Sequence, residues 1–182
     1  VLALAVPLLA SREEWAFLLG LPVGAFRGFG QGVLGIFLGL GLPLMPGLLL
    51  GAGFLGLSGE ATFWLLLSGL GLLAFWVGLA ALLSALTLEE KRALGLGFGL
   101  FGLLNVLYGP LVVALAVRLK DYPLEGLLAL TLLLNPQEIH RVGLLASLEA
   151  PVLTGPIGYL VAEQLGEVGP WLGFLYLALS GL

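Results

Sequence analysis

Cysteine is absent from this 182-residue chain, and histidine and methionine occur once each. Without thiols there is no disulfide, iron–sulfur cluster or thiolate metal site. The lone His140 stands two residues from Glu138, on a different helix face, and with Met45 makes too few ligands for a copper or zinc site built by one chain. No serine occupies the strained Gly-x-Ser-x-Gly turn that a hydrolase would pair with that histidine. Lysine is almost as scarce. Lys91 and Lys120 are followed by Arg92 and Asp121, whereas a phosphate-binding loop ends in Lys followed by Ser or Thr. Any ATP hydrolysis therefore belongs to another chain. No catalytic, cofactor-binding or metal-ligating residue emerges, and the expectation is a protein that is not an enzyme.

Charge is the other shortage. Charged residues make up 10% of the chain, against ~25% in a soluble domain whose surface must face water. A net charge of −4 offers no basic footprint for nucleic acid. What is present is apolar: 60% hydrophobic residues, 29 glycines and a mean hydropathy of +1.14. The natural solvent for such a chain is the lipid bilayer.

Gaps between charges mark the spans. None occurs between Arg27 and Glu60, Glu60 and Glu89, or Arg92 and Arg118, and each gap exceeds the ~20 residues a helix needs to cross the bilayer core. The expected fold is all-α, a polytopic transmembrane helical bundle forming a single domain, 1–182. Complete spans are placed near 33–57, 61–87 and 93–117, with a kink or break at Pro43 and Pro46. The apolar ends, 1–10 and 168–182, read as partial spans. No basic stretch precedes the first, which argues against a secretory signal, and the chain is expected to be truncated at one or both ends. Arg12 and Arg27 flank one loop and Lys91-Arg92 another. Two helices separate these loops, so they share a face, which the positive-inside rule makes cytoplasmic. The loop around Glu60 and the segment 118–167 then lie outside. Arg118 and Lys120 count against that placement, while six acids against three bases in 118–167 favour it.

Three features carry candidate function. The loop 11–32, "SREEWAFLLGLPVGAFRGFGQG", opens with a capping box, Ser11 and Glu14. Trp15, Leu18 and Leu19 form an apolar face behind it, so a short amphipathic helix is expected at the cytoplasmic surface, either anchoring the chain or docking a partner. Asn105, in "LLNVLYGP", is the clearest polar residue at membrane depth and is expected to bond across helices or line a conduit. In "LLLNPQEIHRV", Asn135 is expected to cap a helix that Pro136 starts, and Glu138 and Arg141, three apart, share a face. The glycine run 94–102 lies inside a span and lacks the preceding strand of a dinucleotide site. Gly35/Gly39, Gly47/Gly51 and Gly95/Gly99 instead have the spacing that lets helices approach closely.

These same stretches resemble a family. "EEWAFLLGLPVGAFRGFGQG", residues 13–32, is similar to the segment of type-2 ABC exporter permeases that follows their second helix and contacts the ATPase. "LEEKRALGLGFG" looks like the short intracellular loop before their fifth helix. Asn135, Pro136, Glu138 and Arg141 match an Asn-Pro-x-(Asp/Glu)-x-x-Arg element of NosY-type permeases. The resemblance implies a type-2 ABC exporter permease fold lacking its first helix, in the inner (cytoplasmic) membrane. It implies a homodimer served by a cytoplasmic NosF-like ATPase that binds the ATP, with a periplasmic NosD-like protein, in copper-centre maturation of nitrous oxide reductase. Arg12, Glu13, Glu14, Trp15, Leu18, Leu19 and Arg27 would then form the ATPase-docking surface. Asn135, Pro136, Glu138 and Arg141 would form an extracytoplasmic motif, on a helix at the membrane interface. The Gly-Thr-Leu that follows the acidic turn in the family is replaced here by Trp15-Ala16-Phe17. Two further readings stand beside this one: a CcmB-like haem or cytochrome c maturation permease, and a non-transporting membrane scaffold derived from a permease.

Overall fold

The computed structural model describes residues 1–10, 25–87, 89–122 and 125–147, and among these there is helix and turn but no strand. The helices are α1 (Leu2–Ala10), α2 (Ala25–Phe54), α3 (Gly59–Thr87), α4 (Glu90–Gly102), α5 (Tyr108–Arg118), α6 (Glu125–Leu134) and α7 (Pro136–Ser147). A π turn, Leu103–Leu107, joins α4 to α5. Three stretches are long and apolar enough to cross a membrane: Arg27–Phe54, Gly59–Thr87 and Glu90–Arg118. Each exceeds the ~30 Å of a bilayer's hydrocarbon core at the rise of an α-helix. The chain is thus a membrane protein, all-helical among its described residues.

Local chemistry sets the span ends. The first span stops three residues short of the expected 57 because Gly56 adopts φ +64°, the left-handed conformation in which a side chain would be strained. Leu57 N–H donates to Ala52 O at 3.0 Å and Gly56 N–H to Gly53 O at 3.2 Å, which satisfies the last carbonyls of α2. Ser58 then starts α3, its Oγ accepting from Ala61 N–H at 3.2 Å, with Glu60 in the favourable first turn. At the other end of α3, Glu89 precedes α4 and pairs with Arg92 at 2.8 Å on the surface. Of the kink or break expected at Pro43 and Pro46, the break does not occur: α2 is helical through both. The irregularity falls in the third span, where Pro110 cannot donate to Val106 O and the turn before it widens to the π form.

Helix α3 is the hub, packed by α1, α2, α4 and α7. Its buried residues, among them Gly71, Trp76, Val77, Ala80, Ala81 and Ser84, lie all around its circumference. Lipid removes the hydrophobic drive between helices, so close packing of small side chains has to hold them together. Ala80 on α3, Ala5 on α1 and Ala93 on α4 are each fully buried, around Trp76, Leu2 and Val6. The glycines that make close approaches are Gly41, Gly69 and Gly97. A Cβ on Gly69 would meet Leu48 at 3.1 Å, one on Gly41 would meet Leu73 at 3.4 Å, and one on Gly97 would meet Leu2 at 3.4 Å. Among the described residues, the pairs Gly35/Gly39, Gly47/Gly51 and Gly95/Gly99, where close approach is expected, have no neighbour within 4 Å of a Cβ position. Spacing alone does not say which face of a helix meets its partner.

The last two described helices form a re-entrant hairpin. Asn135 at the turn between α6 and α7 bonds Leu104, the central residue of the third span. Four residues earlier, Thr131 accepts from Tyr108, four residues after Leu104. α6 therefore descends antiparallel to α5, and its end lies ~20 Å inside the span's terminus at the rise of an α-helix. Leu72, beside the central residue of α3, packs on Leu132, Ile139 and Val142. His140 lies against the main chain of Ser68, nearer the Glu60 end of α3. α7 thus climbs back toward the side of the membrane from which α6 came.

Candidate functional site

Asn135 is fully buried and uses both ends of its amide. Oδ1 accepts from Gln137 N–H at 3.0 Å, which caps α7, and Nδ2 donates to Leu104 O at 2.8 Å, across 31 residues of sequence. Its main-chain carbonyl accepts from Glu138 and Ile139 N–H. Pro136 follows at the first helical position, where an N–H is not required. Tyr108 Oη adds a second link by donating to Thr131 O. Two polar ties therefore join the hairpin to the π turn and the turn after it. Non-helical backbone at membrane depth is tolerated where protein or water satisfies its polar groups, and here protein does so.

On the outer face of α7, Arg141 and Glu138 pair. Nη2 lies 2.6 Å and Nε 3.1 Å from the same carboxylate oxygen, Oε2. Their side chains remain 47% and 23% exposed. On the inner face His140 is half-buried, and its Nδ1 has no hydrogen-bond partner. Among the described residues no three or more His, Asp or Glu side chains gather to hold a metal.

The motif expected on an interfacial extracytoplasmic helix is carried by α7. Asn135, Pro136, Glu138 and Arg141 come together as predicted by their spacing, but at the turn of a hairpin level with the span centres, with Asn135 buried. Two halves of a helical pair, each ~15 Å long, reach that depth together. Asn105 is exposed and donates to Phe101 O of its own helix at 3.0 Å, so the cross-element bond belongs to Asn135. Arg27 is exposed at the start of α2, on the same side as Lys91 and Arg92. Arg12, Glu13, Glu14, Trp15, Leu18 and Leu19 lie outside the described residues, as does the apolar segment 168–182.

Sequence reasoning missed Tyr108, Thr131 and the π turn. Two signals were available: Thr131 interrupts an apolar run one helical turn before Asn135, and Pro110 predicts an irregular turn upstream of itself.

Together these features define a class, a helical membrane protein with three spans and a re-entrant hairpin among its described residues. The chain matches no family model, no curated protein and no solved structure.

Proposed function

We propose that this chain is the membrane-spanning permease subunit of a NosY-like ABC exporter. It works in the inner (cytoplasmic) membrane as a homodimer with two copies of a NosF-like ATPase, which bind the ATP. Its role is export of a factor for copper-centre maturation of nitrous oxide reductase, with a NosD-like periplasmic protein receiving it. The observation that carries this reading is the Asn135-Pro136-x-Glu138-x-x-Arg141 element, which turns a short helical hairpin at mid-membrane. Alternating access needs a part with two arrangements, and a hairpin held to a π turn by two polar ties is of that kind. ATP binding on the ATPases would push on residues 12–27 and tilt the spans. A chain with so few ionisable groups at depth is poorly suited to proton or sodium coupling, which favours an external ATPase as the energy source.

Co-purification from detergent tests the proposal. The wild-type chain, expressed with the ATPase encoded beside it, is expected to retain that ATPase, and a Glu14→Lys/Trp15→Ala variant is expected to lose it. Absence of the ATPase from both preparations would overturn the exporter reading.

A further inference from the structure

We infer that the face of α7 carrying Glu138 and Arg141 is wetted from the Glu60 side of the membrane, through an aqueous recess that reaches the span centres. Glu138 is three residues from the hairpin turn, and that turn is level with Leu104 and Leu72, near the middle of two spans. Depth along the third span and depth along α3 agree, because Thr131 pairs with Tyr108 and His140 meets Ser68, both displaced toward the Glu60 side.

At that depth the outer surface is expected to be apolar, as it is at Leu42 on α2 and Val106 in the π turn, 71% and 63% exposed, while Asn105, exposed at the same level, is uncharged and donates to Phe101 O of its own helix. α7 departs from this pattern. It exposes a guanidinium whose two bonds both go to one carboxylate oxygen, which leaves further donors of Arg141 outside the pair. Gln137 beside them is half-buried. Ionisable residues within the membrane face the bundle interior or water, since lipid supplies no hydrogen bonds to a charged head. Pairing neutralises the net charge but does not fill the remaining donors. Water is therefore the occupant that this face fits, and small hydrophilic solutes would share its access. This inference does not rest on the exporter reading, since it uses only depth, exposure and charge.

The absence of cysteine makes the test direct, because any introduced thiol is the only one. Gln137→Cys samples the deep end of this face and Leu145→Cys, one turn above Arg141, samples its mouth. Both leave the Glu138–Arg141 pair intact. The full chain in sealed vesicles is exposed to a membrane-impermeant, positively charged methanethiosulfonate on the side where Glu60→Cys reacts. Leu42→Cys is the lipid-facing control at similar depth. Since the thiolate forms in water and not in lipid, both α7 positions are expected to react at least ~10-fold faster than Leu42→Cys. Rates as slow as Leu42→Cys at both positions would overturn the inference. Reaction at Leu145→Cys with protection at Gln137→Cys would overturn the reach to mid-membrane. Oxidative cross-linking of Leu145→Cys between two chains would place protein, not water, against this face and overturn it as well.

Discussion

Replacing Asn135 with alanine removes three things at once, and their sizes can be separated. The first is the cap on α7, in which Oδ1 accepts from Gln137 N–H, a bond type whose loss costs ~1 kcal/mol. The second is the tie to Leu104 O. Side-chain hydrogen bonds between helices in membranes average ~0.6 kcal/mol, because the unfolded chain in lipid finds other partners. The third is the carbonyl of Leu104 left facing a buried site, a penalty of ~1 kcal/mol or more where nothing replaces the donor. Asn135→Ala should therefore cost about 2–3 kcal/mol. Asn135→Ser keeps an oxygen for the cap but does not reach Leu104, so it should cost about half as much. The assay is unfolding by SDS titration in mixed micelles, followed by the fluorescence of Trp64 and Trp76, both buried on α3. A cost below ~0.5 kcal/mol for Asn135→Ala, within the range of an ordinary surface substitution, would refute the two-ended role of Asn135. Equal costs for Ala and Ser would refute the cap as a separate contribution.

Tyr108→Phe, which deletes the second tie to the hairpin, should be destabilising by ~0.6 kcal/mol, and its double variant with Asn135→Ser should deviate from additivity because the two ties share the same pair of elements. Gly56→Ala, at φ +64°, should cost ~1 kcal/mol from backbone strain, read as a lowered thermal midpoint by circular dichroism in detergent. Ser84→Ala is expected to be neutral or stabilising by up to ~1 kcal/mol, because the Ser84 hydroxyl is buried without a hydrogen-bond partner. A destabilising Ser84→Ala would show instead that its hydroxyl is bonded in the folded protein.

The spans were legible because lipid imposes a single strong rule, the exclusion of charge, and Arg27, Glu60, Glu89, Arg92 and Arg118 mark where it stops applying. Their ends were less so. Gly56 and Ser58 set the turn between α2 and α3 through a positive φ and an N-cap, signals of one or two residues inside a long apolar run. The glycine spacing misled for a different reason: a small-xxx-small pair says that a close approach is possible on that face, not that a helix lies there. Asn135 and Pro136 announced a cap, and the pairing of Glu138 with Arg141 followed from their spacing. What the chain could not announce was depth. The apolar run of α6 is too short to cross a bilayer, and periodicity reports helix and face but not how far the helix sits from the membrane surface. Only long-range partners, Leu104 for Asn135 and Tyr108 for Thr131, supply that coordinate.

Those partners also explain why two irregularities occur at one level. A π turn and an Asn-Pro break each carry main-chain groups that a regular helix would satisfy internally, and lipid hydrocarbon offers no hydrogen bonds to them. Here one defect serves the other. The break gives Asn135 a side chain free of helical geometry, which donates to a carbonyl of the π turn, while its other end closes the first turn of α7. Tyr108, the first residue of α5, reaches the last turn of α6. Neither irregular element would be cheap in isolation, so their stability is coupled. A change that straightens the π turn withdraws the acceptor from Asn135 and loosens the hairpin, and displacement of the hairpin leaves the π turn to close on itself. Any motion of α6 and α7 is thereby tied to the geometry of the third span at its midpoint.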